Sequence, residues 1–319
     1  MHLARTILGT LGLVLAAICA AAAVAAQGGR FSPSLDILTH LAPLYLAGAM
    51  LAAALAAAGS GESRRAGLIL AAVGAVASGA LIAPELLRDT GPKAAPGASG
   101  EIKVIAFNVW EGNRRLEDVT AWLRAENPDI VLLEEATPAL RNRIVARTGW
   151  SVAGARSNDM IFSRAPYLAM RRPVLAGKRA LTWVNATYDT GGGPFEVIVT
   201  HTTWPTEHGQ QAQSQSLRRV VQALPRERMV LGGDFNSTPW SFSRRRDDAA
   251  LGLIRRDRAL ATWPTGRSGP WPWPAPFSFL PIDHIYAGPG WATTGVRRGP
   301  RLGSDHYPLI VTLAPVAPR

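Results

Sequence analysis

Cysteine is almost absent from this 319-residue chain: Cys19 stands alone, inside an apolar run. A single cysteine excludes an intramolecular disulfide. It also leaves everything after residue 100 without a thiolate nucleophile or a cysteine-based metal site. Acidic residues are the minority charge, 23 Asp+Glu against 34 Lys+Arg, for a net charge of +11. Residues 101–319 alone hold 28 basic against 19 acidic side chains. Such a balance favours polyanions, whether nucleic acid, anionic lipid headgroups or phosphorylated molecules, and does not choose among them. Many arginines come in short runs (Arg244–Arg246, Arg255, Arg256, Arg258, Arg297, Arg298), and the plain reading of these is a solvated face. No internal repeat is visible. Charge of either sign is scarce before residue 90, where Ala, Leu, Val, Ile and Gly dominate.

That scarcity predicts an α-helical membrane region over residues 1–90. Three apolar stretches, at about 6–26, 37–58 and 66–87, each have the ~20 residues needed to cross a ~30 Å hydrocarbon layer. Short polar or Gly-rich turns (Gln27–Ser34, Gly59–Arg65) separate them. An Ala-rich first stretch ending before Gln27 also reads as a cleavable signal peptide, and two later spans would still hold the chain in the bilayer. Core helices of a soluble domain are the other alternative, which the nearly uncharged faces oppose. His40 is the awkward residue and reads as neutral and hydrogen-bonded; Glu85 lies near the end of its span. Arg5, Arg64 and Arg65 fall on one side, with Arg30, Arg88 and Lys93 on the other. The positive-inside rule then expects a multi-pass protein of the cell membrane with its C-terminal domain periplasmic or otherwise extracytoplasmic. The stretch RDTGPKAAPGASG that follows is Gly-, Pro- and Ala-rich, and a linker is expected over 91–100.

From Glu101 onward the pattern changes to short apolar runs. Strands are expected at 103–109, 129–133, 160–163, 181–188, 196–201, 229–232, 282–287 and 309–313, with helices at 116–125 and 210–224. This is a mixed α/β architecture. Polar residues suited to chemistry stand at strand ends: Asn108; Glu134 and Glu135; His201; Asp234 and Asn236; Asp283; and Asp305 with His306. Loops at strand ends are where α/β folds place ligand groups. Taken singly, each has a plain reading as a turn former, a cap or a structural histidine.

Taken together and in order, the blocks FNVW, PDIVLLEE, DMIFSR, THTTWP, GGDFNSTP, IDHI and SDHYPL resemble the endonuclease/exonuclease/phosphatase superfamily over about residues 101–314. The resemblance implies a four-layered α/β sandwich, two packed mixed sheets flanked by helices, with 101–319 as the catalytic domain. It implies a metal-dependent hydrolase of phosphate esters using Mg²⁺ or Mn²⁺. Asn108, Glu135 and Asp305 match metal-site residues. Asp234 matches the acid that orients or deprotonates the attacking water, and Asn236 its hydrogen-bonding neighbour. His306 matches the phosphate-contacting imidazole, Asp283 its carboxylate partner, and His201 a second phosphate-facing group. Where some family nucleases carry an acid two positions after the first Asn, this chain has Trp110, followed by Glu111. Glu134 stands where Gln is common and reads as a residue behind the metal site. Asn113 and Asn158 are further candidates for phosphate contacts or plain loop residues.

Fold alone does not select a substrate. Membrane-bound bacterial members with three leading helices resemble this layout, which implies a phosphorylated lipid or another extracytoplasmic phosphoester, with the lipid bilayer as partner. The aromatic segment Trp263–Leu280, with Trp271, Trp273, Phe277 and Phe279, is suited to a headgroup region or a substrate cleft; a packed Pro-rich loop is its plain reading. A membrane-tethered nuclease acting on DNA or RNA is the alternative, and a non-catalytic binding module on the same scaffold is the third.

Overall fold

The computed structural model describes residues 2–155, 158–173, 180–206, 209–266 and 275–316. It divides into two compact units, Met1–Arg88 with Thr238–Arg246, and Asp89–Ser237 with Asp247–Arg319.

The first unit is helical: α1 (His2–Gln27), a 3-10 turn at Gly28–Arg30, α2 (Pro33–Thr39), α3 (Ala42–Ala58) and α4 (Gly61–Leu87). Both α1 and α4 are long and apolar enough to cross a membrane, and α2 with α3 make a third span if counted together. That second stretch is not the single helix its composition suggests. It breaks between Thr39 and Ala42 with a bend of 55°. Pro43 follows the break and sits in the first turn of α3, where its missing N–H costs nothing. The helices pack through small residues. Ala16, Ala52 and Ala71 share a core, and a Cβ on Gly12 would lie 2.5 Å from the backbone nitrogen of Ala56. Small residues are what allow apolar helices to approach this closely. Glu85 is buried and paired with Arg88 at 2.9 Å.

The second unit contains two six-stranded mixed sheets. Its elements run β1 (Ile102–Asn108), α5 (Leu116–Glu126), β2 (Ile130–Glu134), α6 (Pro138–Thr148), β3 (Ser151–Ala153), β4 (Met160–Ser163), β5 (Ala169–Arg171) and β6 (Thr182–Asp189). They continue with β7 (Pro194–His201), α7 (Gln210–Gln222), β8 (Val230–Asp234), α8 (Phe242–Leu251), β9 (Ile254–Arg255), β10 (Asp283–Ala287), β11 (Trp291–Arg298) and β12 (Leu309–Pro315). One sheet has the order β11-β12-β1-β2-β4-β3, the other β5-β6-β7-β8-β10-β9. Each has a parallel pair at its centre, β1 with β2 and β7 with β8.

Strand periodicity builds the layers. Val104 and Ala106 of β1 face the core between the sheets, with Val199, Val230 and Ile285. Ile105 and Phe107 point the other way, onto Val119 and Leu123 of α5 and Leu140 and Ile144 of α6. On the far side Ile198 and Leu231 meet Leu217 and Val221 of α7. Strands buried on both faces lose their polar alternation, which is why these runs read as continuously apolar. The expected four-layered sandwich is what forms.

One expectation needs correction. Arg255 and Arg256 are not on a solvated face: both are 1 % exposed. Arg255 pairs with Asp248 at 2.9 Å, and Arg256 donates to the carbonyls of Ala287 and Gly288. Arg244 is buried as well. Within the stretch read as a linker, Lys93 bridges to Thr293 of β11, and the Ala94 N–H donates to the Thr293 carbonyl.

Candidate active site

Strand polarity brings the polar residues to one edge. The parallel pairs align Asn108 with Glu134 and His201 with Asp234 at their C-terminal ends. Strand β10 runs antiparallel to β8, so its first residue, Asp283, lies opposite Asp234. Strand β12 runs antiparallel to β1, with Leu309 opposite Ala106, which delivers the preceding Asp305 and His306 to the same end.

Asp234, 1 % exposed, is the hub. Its Oδ2 accepts from Asn108 Nδ2 at 3.1 Å and lies 3.6 Å from both His201 Nε2 and His306 Nε2. Its Oδ1 accepts the Asn236 N–H at 2.8 Å. Asn108 also donates to Glu135 Oε1 at 2.9 Å, so one amide group ties the two carboxylates together. The second Glu135 oxygen accepts the Glu111 N–H at 3.2 Å. Asn236 donates to the Thr202 carbonyl at 2.8 Å, and its Nδ2 lies 3.3 Å from His201 Nε2. Burial pushes the Asp234 carboxyl up to about 6, with Asp283 adding to the rise and the imidazoles of His306 and His201 opposing it.

His306 Nδ1 lies 2.9 Å from Asp283 Oδ2. Burial works against a charged ring, but the carboxylates of Asp283 and Asp234, and then Asp305, outweigh it and raise His306 to about 10. The nearest ligand atoms of Asp234, Asp283 and His306 all lie within 4.8 Å of one another. A charged imidazole has no lone pair for a metal, so this triad suits a proton-holding device better than a cation cage. Asp305 joins the centre through its charge. Its Oδ2 accepts from the Trp263 indole at 3.1 Å.

Oxygen donors for a hard cation are present among these residues. Glu135 supplies a partly exposed carboxylate beside Asn108. Among the described residues, the buried Oδ1 atoms of Asn236 and Asp283 have no hydrogen-bond partner. Carboxylate and amide oxygens are the donor type that Mg²⁺ and Mn²⁺ take, so the residues fit such an ion.

The backbone is strained at the same place. Among the described residues, five non-glycines have positive φ, and three are Trp110 (+57°), Glu135 (+54°) and Asn236 (+45°). Strained conformations persist where the surroundings over-determine them, as at active sites. Gly233 has φ +143°, and a Cβ there would lie 1.9 Å from the Thr200 carbonyl oxygen. Glycine alone fits.

Ser304, His284 and Asp159 escape a reading by motif, whereas Glu134 was read as a residue behind the metal site. Ser304 donates to the Asn108 carbonyl at 2.7 Å and accepts the His306 N–H at 3.0 Å, stapling the SDH loop to the end of β1. His284 places Nδ1 2.8 Å from Asp257 Oδ2 and Nε2 3.0 Å from the Ser237 carbonyl. Buried Asp159 lies near enough to His201 and Glu135 for their charges to act on it, and burial pushes its carboxyl up. Glu134 is fully buried, and neither of its oxygens has a partner among the described residues. Burial, then the carboxylates of Asp283, Asp159 and Asp234, push it well above the usual range, toward the neutral acid. A neutral carboxyl is close in shape to the amide of Gln. The only sequence signals were the hydroxyl two residues before His306 and the acid at position 134.

Other candidates separate. Asn113 donates to the Leu302 carbonyl and accepts the Arg115 N–H, which makes it a loop anchor. Asn158 is exposed, and its carbonyl accepts the Ala136 N–H. Trp271 and Trp273 lie outside the described residues; Phe277 is exposed, and Phe279 packs on Trp263, Leu280 and Ile282.

Two mixed sheets flanked by helices, with carboxylates, amides and imidazoles gathered at one edge, make the α/β sandwich of the phosphoesterase and nuclease superfamily. The chain belongs to the Endonuclease/Exonuclease/phosphatase family, whose sequence model matches residues 105–306. No curated protein matches it in sequence. Among solved structures it is similar to the endonuclease/exonuclease/phosphatase from Bacteroides vulgatus, at 17 % identity and TM-score 0.59, over 68 % of this chain and 100 % of that one. Danio rerio TDP2 complexed with a single-strand DNA product is similar at 15 % identity and TM-score 0.56, over 68 % and 100 %. The mannosyl-6-phosphatase of Bacteroides thetaiotaomicron is similar at 15 % identity and TM-score 0.55, over 67 % and 99 %. At these identities the likeness speaks for the fold.

Proposed function

We propose that this protein is a membrane-anchored, divalent-metal-dependent phosphoesterase acting on a phosphorylated lipid or another extracytoplasmic phosphate ester. The observation that carries the reading is the convergence on Asp234 Oδ2, with Asn108 at 3.1 Å and two imidazole nitrogens at 3.6 Å. Glu135 would hold the cation, with Asn108 orienting its carboxylate and Asp305 adding charge. When bound, a divalent ion supplies Lewis-acid stabilisation of the phosphoryl oxygens. Asp234 takes the proton of the attacking water, and Asn236 orients that water and a phosphate oxygen. The charged His306 ring, held by Asp283, stabilises negative charge growing on the phosphoryl group. His201 serves the leaving oxygen.

Two features favour a lipid-like substrate. Apolar helices in the same chain would keep the site at a bilayer. Trp110 and Trp204, 38 % and 39 % exposed, follow Asn108 and His201 closely in the chain. Trp204 is stacked edge-on against Trp263 at 5.2 Å. Exposed indoles suit an amphipathic substrate at an interface. Arg5, near the start of α1, and Arg64 and Arg65, in the first turns of α4, face the cytoplasm in this reading, which puts the second unit outside.

The test is turnover by the purified full-length chain with Mg²⁺, Mn²⁺ or a chelator. The panel holds polyprenyl diphosphate and phospholipids in vesicles, plasmid DNA and RNA. Metal-dependent release of phosphate or headgroup from the lipid substrates is expected, with Glu135→Gln raising the metal concentration required by about tenfold or more. Hydrolysis of DNA or RNA alone, weakening steeply with salt, would make it a tethered nuclease. Inactivity throughout would leave a binding module.

A further inference from the structure

Helix α2 and the bend after it carry two polar residues, Asp36 and His40, that a plain membrane anchor would not need. Asp36 and His40 are 4 % and 7 % exposed. Burying such groups is costly unless they are paired, and both are paired with one segment, Thr238–Ser243. Asp36 Oδ1 accepts the Phe242 N–H and Oδ2 accepts the Ser243 N–H, each at 2.8 Å. These amides open α8 and have no partner inside the helix, so a carboxylate from distant sequence caps them, where the helix dipole also favours negative charge. Nδ1 of His40 lies 2.8 Å from Thr238 Oγ1 and accepts the Thr238 N–H at 3.2 Å. The His40 carbonyl accepts from the Trp240 indole at 3.2 Å. Gly29 closes the clamp: a Cβ there would lie 2.9 Å from the Phe242 ring.

Thr238 is two residues from Asn236 and four from Asp234. The turn GGDFNSTP therefore has its first part in the catalytic centre and its last part, from Thr238, bonded to His40. We infer that Asp36 and His40 are positioning residues for catalysis. By holding Thr238–Ser243 they set the path of the chain leaving Asn236. The coupling runs along the chain itself. At the near end the Ser237 carbonyl is held by His284 at 3.0 Å, so the turn is tethered at both ends. The inference rests on the proposed role of Asp234 and Asn236.

The test uses the full-length chain in lipid nanodiscs, as wild type, Asp36→Ala, Asp36→Asn, His40→Ala and His40→Asn. Hydrogen exchange is followed over residues 234–246, together with kcat and KM on a generic phosphodiester with Mn²⁺. The alanine variants should exchange faster at 238–243 by about tenfold or more, and the loss of protection should spread to 234–237. Their kcat should fall by on the order of tenfold to a hundredfold, as expected of a displaced catalytic group, with KM held within about twofold. The asparagine variants keep an acceptor and should lie between. If the alanine variants destabilise the chain outright, these milder variants decide. Faster exchange at 238–243 with 234–237 and kcat unchanged would overturn the positioning role. Unchanged exchange throughout would overturn the clamp. If the wild type proves inactive on every phosphoester, the proposed function falls and the exchange at 234–237 still decides whether the clamp sets the turn.

Discussion

Asp234 and His306 share a proton economy in which each controls the other. Asp234 is pushed up to about 6 and His306 up to about 10. Asp234 can act as a base only once ionised, so activity should rise as the pH climbs through about 6. His306 loses its charge as the pH climbs through about 10, so activity should then fall. The pH profile of kcat/KM should be a broad bell whose limbs belong to the coupled pair. A bound cation favours the ionised carboxylate and would move the acid limb lower. Asp283→Asn removes the first of the charges that raise the imidazole and should bring the alkaline limb down toward the ordinary histidine range of about 6.5. An alkaline limb unmoved in that variant would mean that His306 is not the group responsible. Much at this scale was legible in the sequence, because the chemistry resides in residue type: Asn108, Glu135, His201, Asp234, Asn236, Asp283 and His306 all reach one place. Asp305 was read as a metal-site residue; what the fold adds is that its Oδ2 accepts from the Trp263 indole at 3.1 Å. Only the fold decides which of two neighbouring carboxylates points where.

At the scale of elements, β8 is the most constrained strand. Its Gly232-Gly233 pair lies where the two sheets and the catalytic edge meet; a Cβ on Gly232 would lie 2.7 Å from Leu132, and one on Gly233 only 1.9 Å from the Thr200 carbonyl oxygen. Gly233→Ala combines backbone strain with a clash and should cost at least about 3 kcal/mol. A markedly lowered thermal midpoint, followed by near-ultraviolet dichroism, is the expected result, and a midpoint within a degree of wild type would refute it. Element type followed from periodicity in the long runs. Helix α6 went unread although its signals were present: Thr137 caps it, accepting the Leu140 N–H at 3.3 Å, Pro138 opens it, and Gly149 at φ +70° ends it. Strands β3, β5 and β9 have three, three and two residues. Segments this short have no period to detect, and pairing with a neighbour alone makes them strands.

At the scale of the whole molecule, an apolar helical unit and a polar-edged sandwich share one chain. Orientation is the property tested most directly here. With the N-terminus inside, a C-terminal alkaline phosphatase fusion should be active and a matched cytoplasmic reporter silent. The reverse pattern would place the site in the cytoplasm and remove extracytoplasmic substrates from the proposal. The length of the helical stretches was visible in their composition, but the break at His40 was not, because hydropathy averages over a window and one turn of polar side chains hardly changes the mean.

By itself the sequence determined the apolar helical stretch before residue 90, the layered α/β class and the set of side chains able to do chemistry, since each depends on residue type and local period. The tertiary structure alone decided which partners those side chains have. It turned Arg255 and Arg256 inward, left Glu134 buried among carboxylates, and matched Asp36 and His40 with a segment some two hundred residues away. The physical reason is that pairing energy depends on distance and on water exclusion, and neither exists until the chain has folded.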